Sequence, residues 1–117
     1  DAHHLNLCLW AHSGTCRNMA RDGRATLSLV LDGGVFEIQL RATPVAAPQQ
    51  RSAATAMTPS DHADEPQLAF FRATVESTRE HRAKYAEVTT GVSYRLHSPN
   101  EVLARWAAQI SWLRNIT

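Results

Sequence analysis

The sequence predicts an α+β fold, an antiparallel sheet with helices around it, and three observations carry that expectation. Leu5, Leu7 and Leu9 alternate with Asn6, Cys8 and Trp10 in His3 to Trp10, the two-residue period of a strand. Two β-rich runs, ATLSLVLD and VFEIQLRA, flank Gly33-Gly34, and glycine accepts the positive φ that tight hairpin turns require. Two further stretches carry the three- and four-residue steps of helices, and one of them opens on a strong start signal.

Taken in chain order, the strand at His3–Trp10 is followed by the polar run AHSGTCRNMARDG. Ser13 or Thr15 can cap a helical turn there, over roughly Cys16 to Arg21, and Gly23 stops it. The hairpin comes next. Leu27, Leu29 and Leu31 share one face of its first strand, and Phe36, Ile38 and Leu40 one face of its second, with Glu37, Gln39 and Arg41 opposite. Pro44 to Pro66 holds four prolines and many Ala, Ser, Thr and Gln without an apolar period, which reads as a flexible loop, or else a functional flap; as a flexible loop it would be cut first by a nonspecific protease between Ala46 and Glu65. Gln67 to about Tyr85 steps through Leu68, Phe71, Val75, Thr78, Arg82 and Tyr85, so a helix is expected. Val88, Val92 and Tyr94 mark a strand interrupted at Gly91. Ser98-Pro99-Asn100-Glu101 has the form of a capping box with proline at the first helical position. The helix behind it carries Val102, Leu103, Trp106, Ile110 and Leu113 on the face expected to be buried. Trp112 falls off that face, and its indole is a candidate subunit contact.

Composition bounds the function. The 117 residues fit one domain, residues 1–117, large enough for a core of its own. Net charge is +1, from 12 Lys+Arg against 11 Asp+Glu, so the clustered basic excess of a nucleic-acid binder is missing. Lys84 is the only lysine. An arginine bias suits planar recognition of phosphate or carboxylate, and a GC-rich genome produces the same bias. Cys8 and Cys16 stand in no disulfide framework, which fits free thiols and a cytoplasmic protein. No apolar run approaches a membrane span. The six histidines make no His-x-x-x-His pair and the cysteines no Cys-x-x-Cys pair, so no metal site is expected. Asp1 leads almost directly into a strand, and N-terminal strands of the fold are expected to lie outside this sequence.

Several of these residues together resemble a known family. The strand ending Leu9-Trp10, the loop from His12 to Met19, the connector Arg21-Asp22-Gly23-Arg24 and the hairpin Ala25 to Ala42 look like the FMN-binding split barrels of the pyridoxamine 5'-phosphate oxidase-like family. Residues 67–115 follow a similar order. The resemblance implies an antiparallel split β-barrel with flanking helices, and a homodimer with FMN at its interface acting on a small-molecule substrate. It implies an FMN-dependent oxidoreductase; a flavin- or haem-binding or sensing module of the same fold, without turnover, is the alternative. In that family the turn and the start of the helix hold the flavin phosphate, which here points to Ser13, Thr15, Cys16, Arg17 and Asn18. The chemistry suits the role, because a helix N-terminus offers unpaired N–H groups and a positive dipole end. Ser13 and Thr15 add hydroxyls, Arg17 a guanidinium fork and Asn18 an amide. The sequence also departs from the family. Arg17-Asn18 stands where the oxidases have Arg-Lys, and Arg95-Leu96-His97 runs straight into the Ser98 cap, so a true pyridoxamine-phosphate oxidase is not expected. No catalytic acid, base or nucleophile can be singled out.

Overall fold

The computed structural model describes residues 2–47 and 67–116. Strand β1 (His4–Trp10) leads into helix α1 (Gly14–Asp22), followed by β2 (Arg24–Leu31), β3 (Gly34–Val45), β4 (Leu68–His81) and helix α2 (Pro99–Arg114). The four strands form one antiparallel sheet in the order β1-β4-β3-β2, curled into a half-barrel. The α+β class and the antiparallel sheet with flanking helices are therefore as the sequence predicts, and the architecture is compatible with a split barrel.

Local chemistry explains most of the elements. Asp32 (φ 51°) and Gly33 (φ 81°) both adopt left-handed backbone, and Leu31 pairs with Gly34. That is the two-residue turn whose twist matches the flanking strands. Helix α1 starts two residues earlier than Cys16, because Ser13 in extended backbone (φ −72°, ψ 152°) takes the N-cap position. Gly23, at φ 73°, ends it.

The segment from Gln67 to Tyr85, expected as a helix, is instead β4, which pairs with β1 on one side and β3 on the other. The reason is a bulge. Leu40 pairs with Val75 but Gln39 with Ser77, so Glu76 is an extra residue on β4. Phe71, Ala73 and Val75 share the face that meets Leu40 and Ala42, and beyond the bulge the same face falls to Thr78 and Glu80. The jump of three at the bulge imitates a helical step in what is otherwise a period of two.

Other expectations change more modestly. Pro44 and Val45, placed in the loop, end β3 opposite Phe71 and Phe70, and residues 48–66 lie outside the described residues. Residues 82–97 carry no regular secondary structure, including the strand expected over Val88–Tyr94. Helix α2 begins at Pro99 as expected, yet Ser98 sits at φ 52° with no side-chain cap bond. An N-cap hydroxyl reaches the first amides from extended backbone, not from this conformation. The two tryptophans of α2 are also exchanged. Trp106, expected on the buried face, is exposed and meets Tyr94 edge-on with ring centroids 6.5 Å apart, whereas Trp112 is half-buried.

The main core cluster lies on one face of the sheet, beneath α1, and Phe70 is buried on the other face. Cys16 and Met19 of α1 pack with Leu40, Ala42, Phe71 and Ala73, and Leu5, Leu7, Leu9, Leu27 and Ile38 pack around them. The opposite face of β1 meets α2, where the Asn6 side-chain amide donates to the Leu113 carbonyl at 2.8 Å. No helix is long and apolar enough to cross a membrane among the described residues.

Candidate functional site at the start of helix α1

The five residues expected to bind an anion lie on one turn between β1 and α1. Trp10 closes β1, and its carbonyl accepts the Ser13 amide at 3.0 Å. The Ser13 hydroxyl oxygen then accepts the Cys16 amide at 3.1 Å, and the Ser13 carbonyl accepts the Arg17 amide at 3.1 Å. These three bonds fix the turn. In a helix capped this way, the first two amides, here those of Gly14 and Thr15, have no intrahelical acceptor.

Arg17 folds back over this end of the helix. Its Nη1 donates to the His12 carbonyl at 2.8 Å, and Nη2 lies 3.9 Å from where a Cβ on Gly14 would stand. The guanidinium therefore sits beside the free amides, and no acidic residue occupies the first turn of α1 to neutralise it. Thr15 and Asn18 are exposed on the same turn. Cys16 differs from the others. Its thiol is buried in the core and its amide is taken by Ser13, so it anchors the turn and leaves no donor for a ligand.

The far end of α1 is tied down by Gly23, whose amide donates to the Met19 carbonyl at 2.8 Å and whose carbonyl accepts the Ala42 amide at 2.7 Å. Asp22 accepts the Arg24 amide at 3.0 Å. That bond, reinforced by the positive charges of Arg24, Arg21 and Arg41, holds the Asp22 carboxyl below its ordinary range, against a smaller opposing effect of burial. The second cysteine, Cys8, lies half-buried on β1, and burial pushes its thiol up.

The remaining polar residues do not converge on this turn. Glu37 faces His81 across the sheet at 3.3 Å, and Gln39 accepts from the Thr26 hydroxyl at 2.9 Å. By register both project from the face opposite α1. Arg95 and His97 are exposed in the irregular segment before α2. Among the described residues no group of three or more His, Cys, Asp or Glu is placed to hold a metal ion. His62 lies outside the described residues.

Two apolar features lie near the site, an exposed indole and the uncovered part of the hairpin face expected from the sequence. Trp10 is 63% exposed directly before the turn. Its position out of phase with Leu5, Leu7 and Leu9 is the signal that could have found it. Beyond the reach of α1, the apolar face of the hairpin continues through Leu29 (42% exposed), Leu31 (55%) and the half-buried Phe36. Hydrophobic alternation alone could not tell the covered leucines from the bare ones.

No family model matches the chain. It is 30% identical over 110 residues to the protein YclD of Bacillus subtilis (strain 168), an alignment covering 94% of this chain and 63% of that protein. The chain thus spans less than two thirds of the length of this curated relative.

Proposed function

We propose that this chain is an FMN-dependent oxidoreductase of the pyridoxamine 5'-phosphate oxidase-like split-barrel kind, acting as a homodimer on a small-molecule substrate. The observation that carries the reading is the α1 turn, where a guanidinium lies beside two free helix amides with no acidic residue among them. A flavin phosphate is stabilised by that combination of N–H donors, dipole and fixed charge. The fit is good for the phosphate. The Gly14 and Thr15 amides, the Thr15 hydroxyl, Arg17 and Asn18 would hold it, while Ser13 and Cys16 keep the turn in shape. Bound FMN supplies the hydride acceptor and donor; the protein's part is binding, orientation and exclusion of water. The bare apolar strip through Leu29, Leu31 and Phe36 supports the dimer, since a second copy would cover it.

The test is binding with and without the phosphate. The purified protein should show the two visible bands of a flavin, and Arg17→Ala should weaken FMN by about tenfold or more, the loss of a charge-assisted contact of roughly 1.5–3 kcal/mol. Riboflavin, which lacks the phosphate, should bind the variant as it binds the parent. Equal losses for both ligands would make Arg17 structural. A Soret band, or a colourless protein that takes up no FMN, would favour the non-catalytic reading over the enzyme.

A further inference from the structure

Helix α2 is more apolar than its surroundings explain. Nine of its sixteen residues are apolar and only Glu101, Arg105 and Arg114 carry charge, yet none of the sixteen is fully buried. A helix with so little polar surface is suited to cover on more than one side. Among the described residues one side is covered, against the face of β1 that carries Asn6. Leu103, Trp106 and Ile110, spaced by three and four residues, stay exposed on another side, and Tyr94 meets Trp106 edge-on.

The hairpin holds the second uncovered apolar surface, at Leu29 and Leu31. One chain cannot bring the two together. Strands β1 and β2 are opposite edges of the sheet, and α2 lies against the face of β1 turned away from α1, whereas Leu29 and Leu31 share the α1 face with Leu27. Three strand spacings, about 14 Å along the sheet, and the thickness of the sheet itself separate them.

The two surfaces match in spacing and in charge. Four residues advance a helix by about 6 Å, and two residues advance a strand by about 6.7 Å. Trp106 set on Leu29 therefore brings Ile110 to Leu31 and Arg114 to the hairpin tip. That tip is acidic. Glu80 and Glu87 lie against its glycines with Arg82 between them, and Asp32 adds a third carboxylate. Neither the Asp32 carboxylate nor the Arg114 guanidinium has a partner among the described residues.

The area is sufficient as well. At about 200 Å² for a fully exposed large side chain, Leu29, Leu31, Leu103, Trp106 and Ile110 leave roughly 500 Å² bare in each copy. Two reciprocal contacts would bury about 1,000 Å² from these residues alone, the size at which a specific interface begins.

We propose that α2 of one copy docks along the hairpin strip of a second copy, whose own α2 docks along the strip of the first, with Arg114 against Asp32 in each contact. The arrangement is two-fold, so one surface pair is used twice. It rests on the homodimer proposed with the flavin site, though not on the flavin itself.

Cross-linking between different chains tests it. Leu31→Cys and Ile110→Cys, made in separate chains with Cys8→Ser in both, should form a disulfide between the two chain types when mixed and mildly oxidised, in preference to either type linked to its own kind. Asp32→Asn, which keeps the left-handed backbone, and Arg114→Gln touch no core residue. Each should weaken self-association in sedimentation by about two- to tenfold, and both together no more than either alone, because they remove the same ion pairs. A dimer that links only like with like, or additive losses in the two charge variants, would overturn the docking and leave the homodimer standing. A single-chain mass for the parent at micromolar concentration would overturn both.

Discussion

Gly23→Ala should be among the most damaging small substitutions in this protein, and the structure says by how much. Gly23 stands at φ 73°, where an L-residue pays about 1–2 kcal/mol. A Cβ there would also lie 2.9 Å from the Ala42 carbonyl oxygen, closer than real Cβ contacts. That oxygen cannot easily withdraw. The Ala42 amide is bonded to Gly23 itself at 2.7 Å, and Ala42 is buried within β3. Adding the contact to the backbone cost gives a loss of roughly 2–4 kcal/mol, of the size seen when a special backbone position is violated. In a domain near 100 residues this lowers the melting temperature by about 10 °C or more. Urea unfolding followed by far-ultraviolet circular dichroism is the assay, with the slope of the transition expected to stay constant. Gly23→Asn separates the two contributions, since asparagine tolerates left-handed backbone but carries the same Cβ. It should recover part of the loss and not all of it. A loss below about 0.5 kcal/mol for Gly23→Ala would refute the reasoning, because it would mean that α1 is not pinned to β3 at this point.

The other expected outcomes are more direct. Phe71→Ala, at a side chain 1% exposed in the middle of the core, should cost about 3–5 kcal/mol in the same urea assay. Asp22 has a lowered folded pKa, so its charge contributes stability above the unfolded carboxylate pKa of about 3.9, and that contribution is lost as pH falls through the folded value. Asp22→Asn should therefore lower the urea midpoint at pH 6, and the difference should begin to shrink near pH ~4 and vanish only once the pH is below the lowered folded pKa; a difference that stays constant with pH would contradict this. Light scattering at micromolar concentration should report twice the mass of one chain, and Leu31→Glu, which places a charge in the bare strip, should shift it toward the single-chain mass.

What could be read in the sequence was what local chemistry decides. The alternating leucines of β1, the hairpin turn and the Gly23 stop each act within a few residues; the first and last stand where they were expected, and the turn lies one residue earlier, at Asp32-Gly33 with Gly34 already in β3. Strand β4 was hidden because its bulge depends on register against β3, a partner far away in the chain. The same holds for Trp106 and Trp112, since helical periodicity shows that one face is apolar without showing which part of it meets the sheet. At the candidate site, the cap made by Ser13 was legible as a residue type at a helix start. The return of Arg17 onto the His12 carbonyl was not, because it rests on a side-chain conformation that spacing does not encode.

The sheet order carries a consequence for how the chain comes to be folded. Among the described residues the strand partner of β1 is β4, far along the chain, with His4 opposite Thr74. The contact of its other face is later still, since Asn6 and Leu113 stand 107 residues apart. The hairpin of β2 and β3 can assemble from neighbours within a few microseconds of being available, as such local pairings do. Leu5, Leu7 and Leu9 meanwhile stay uncovered on that side until β4 pairs with β1. Non-local closure of this kind slows folding, because loop entropy is spent before the pairing repays it. The β1–β4 pairing thus closes the widest loop in the sheet, and the partly folded chain is most open to misassociation along β1.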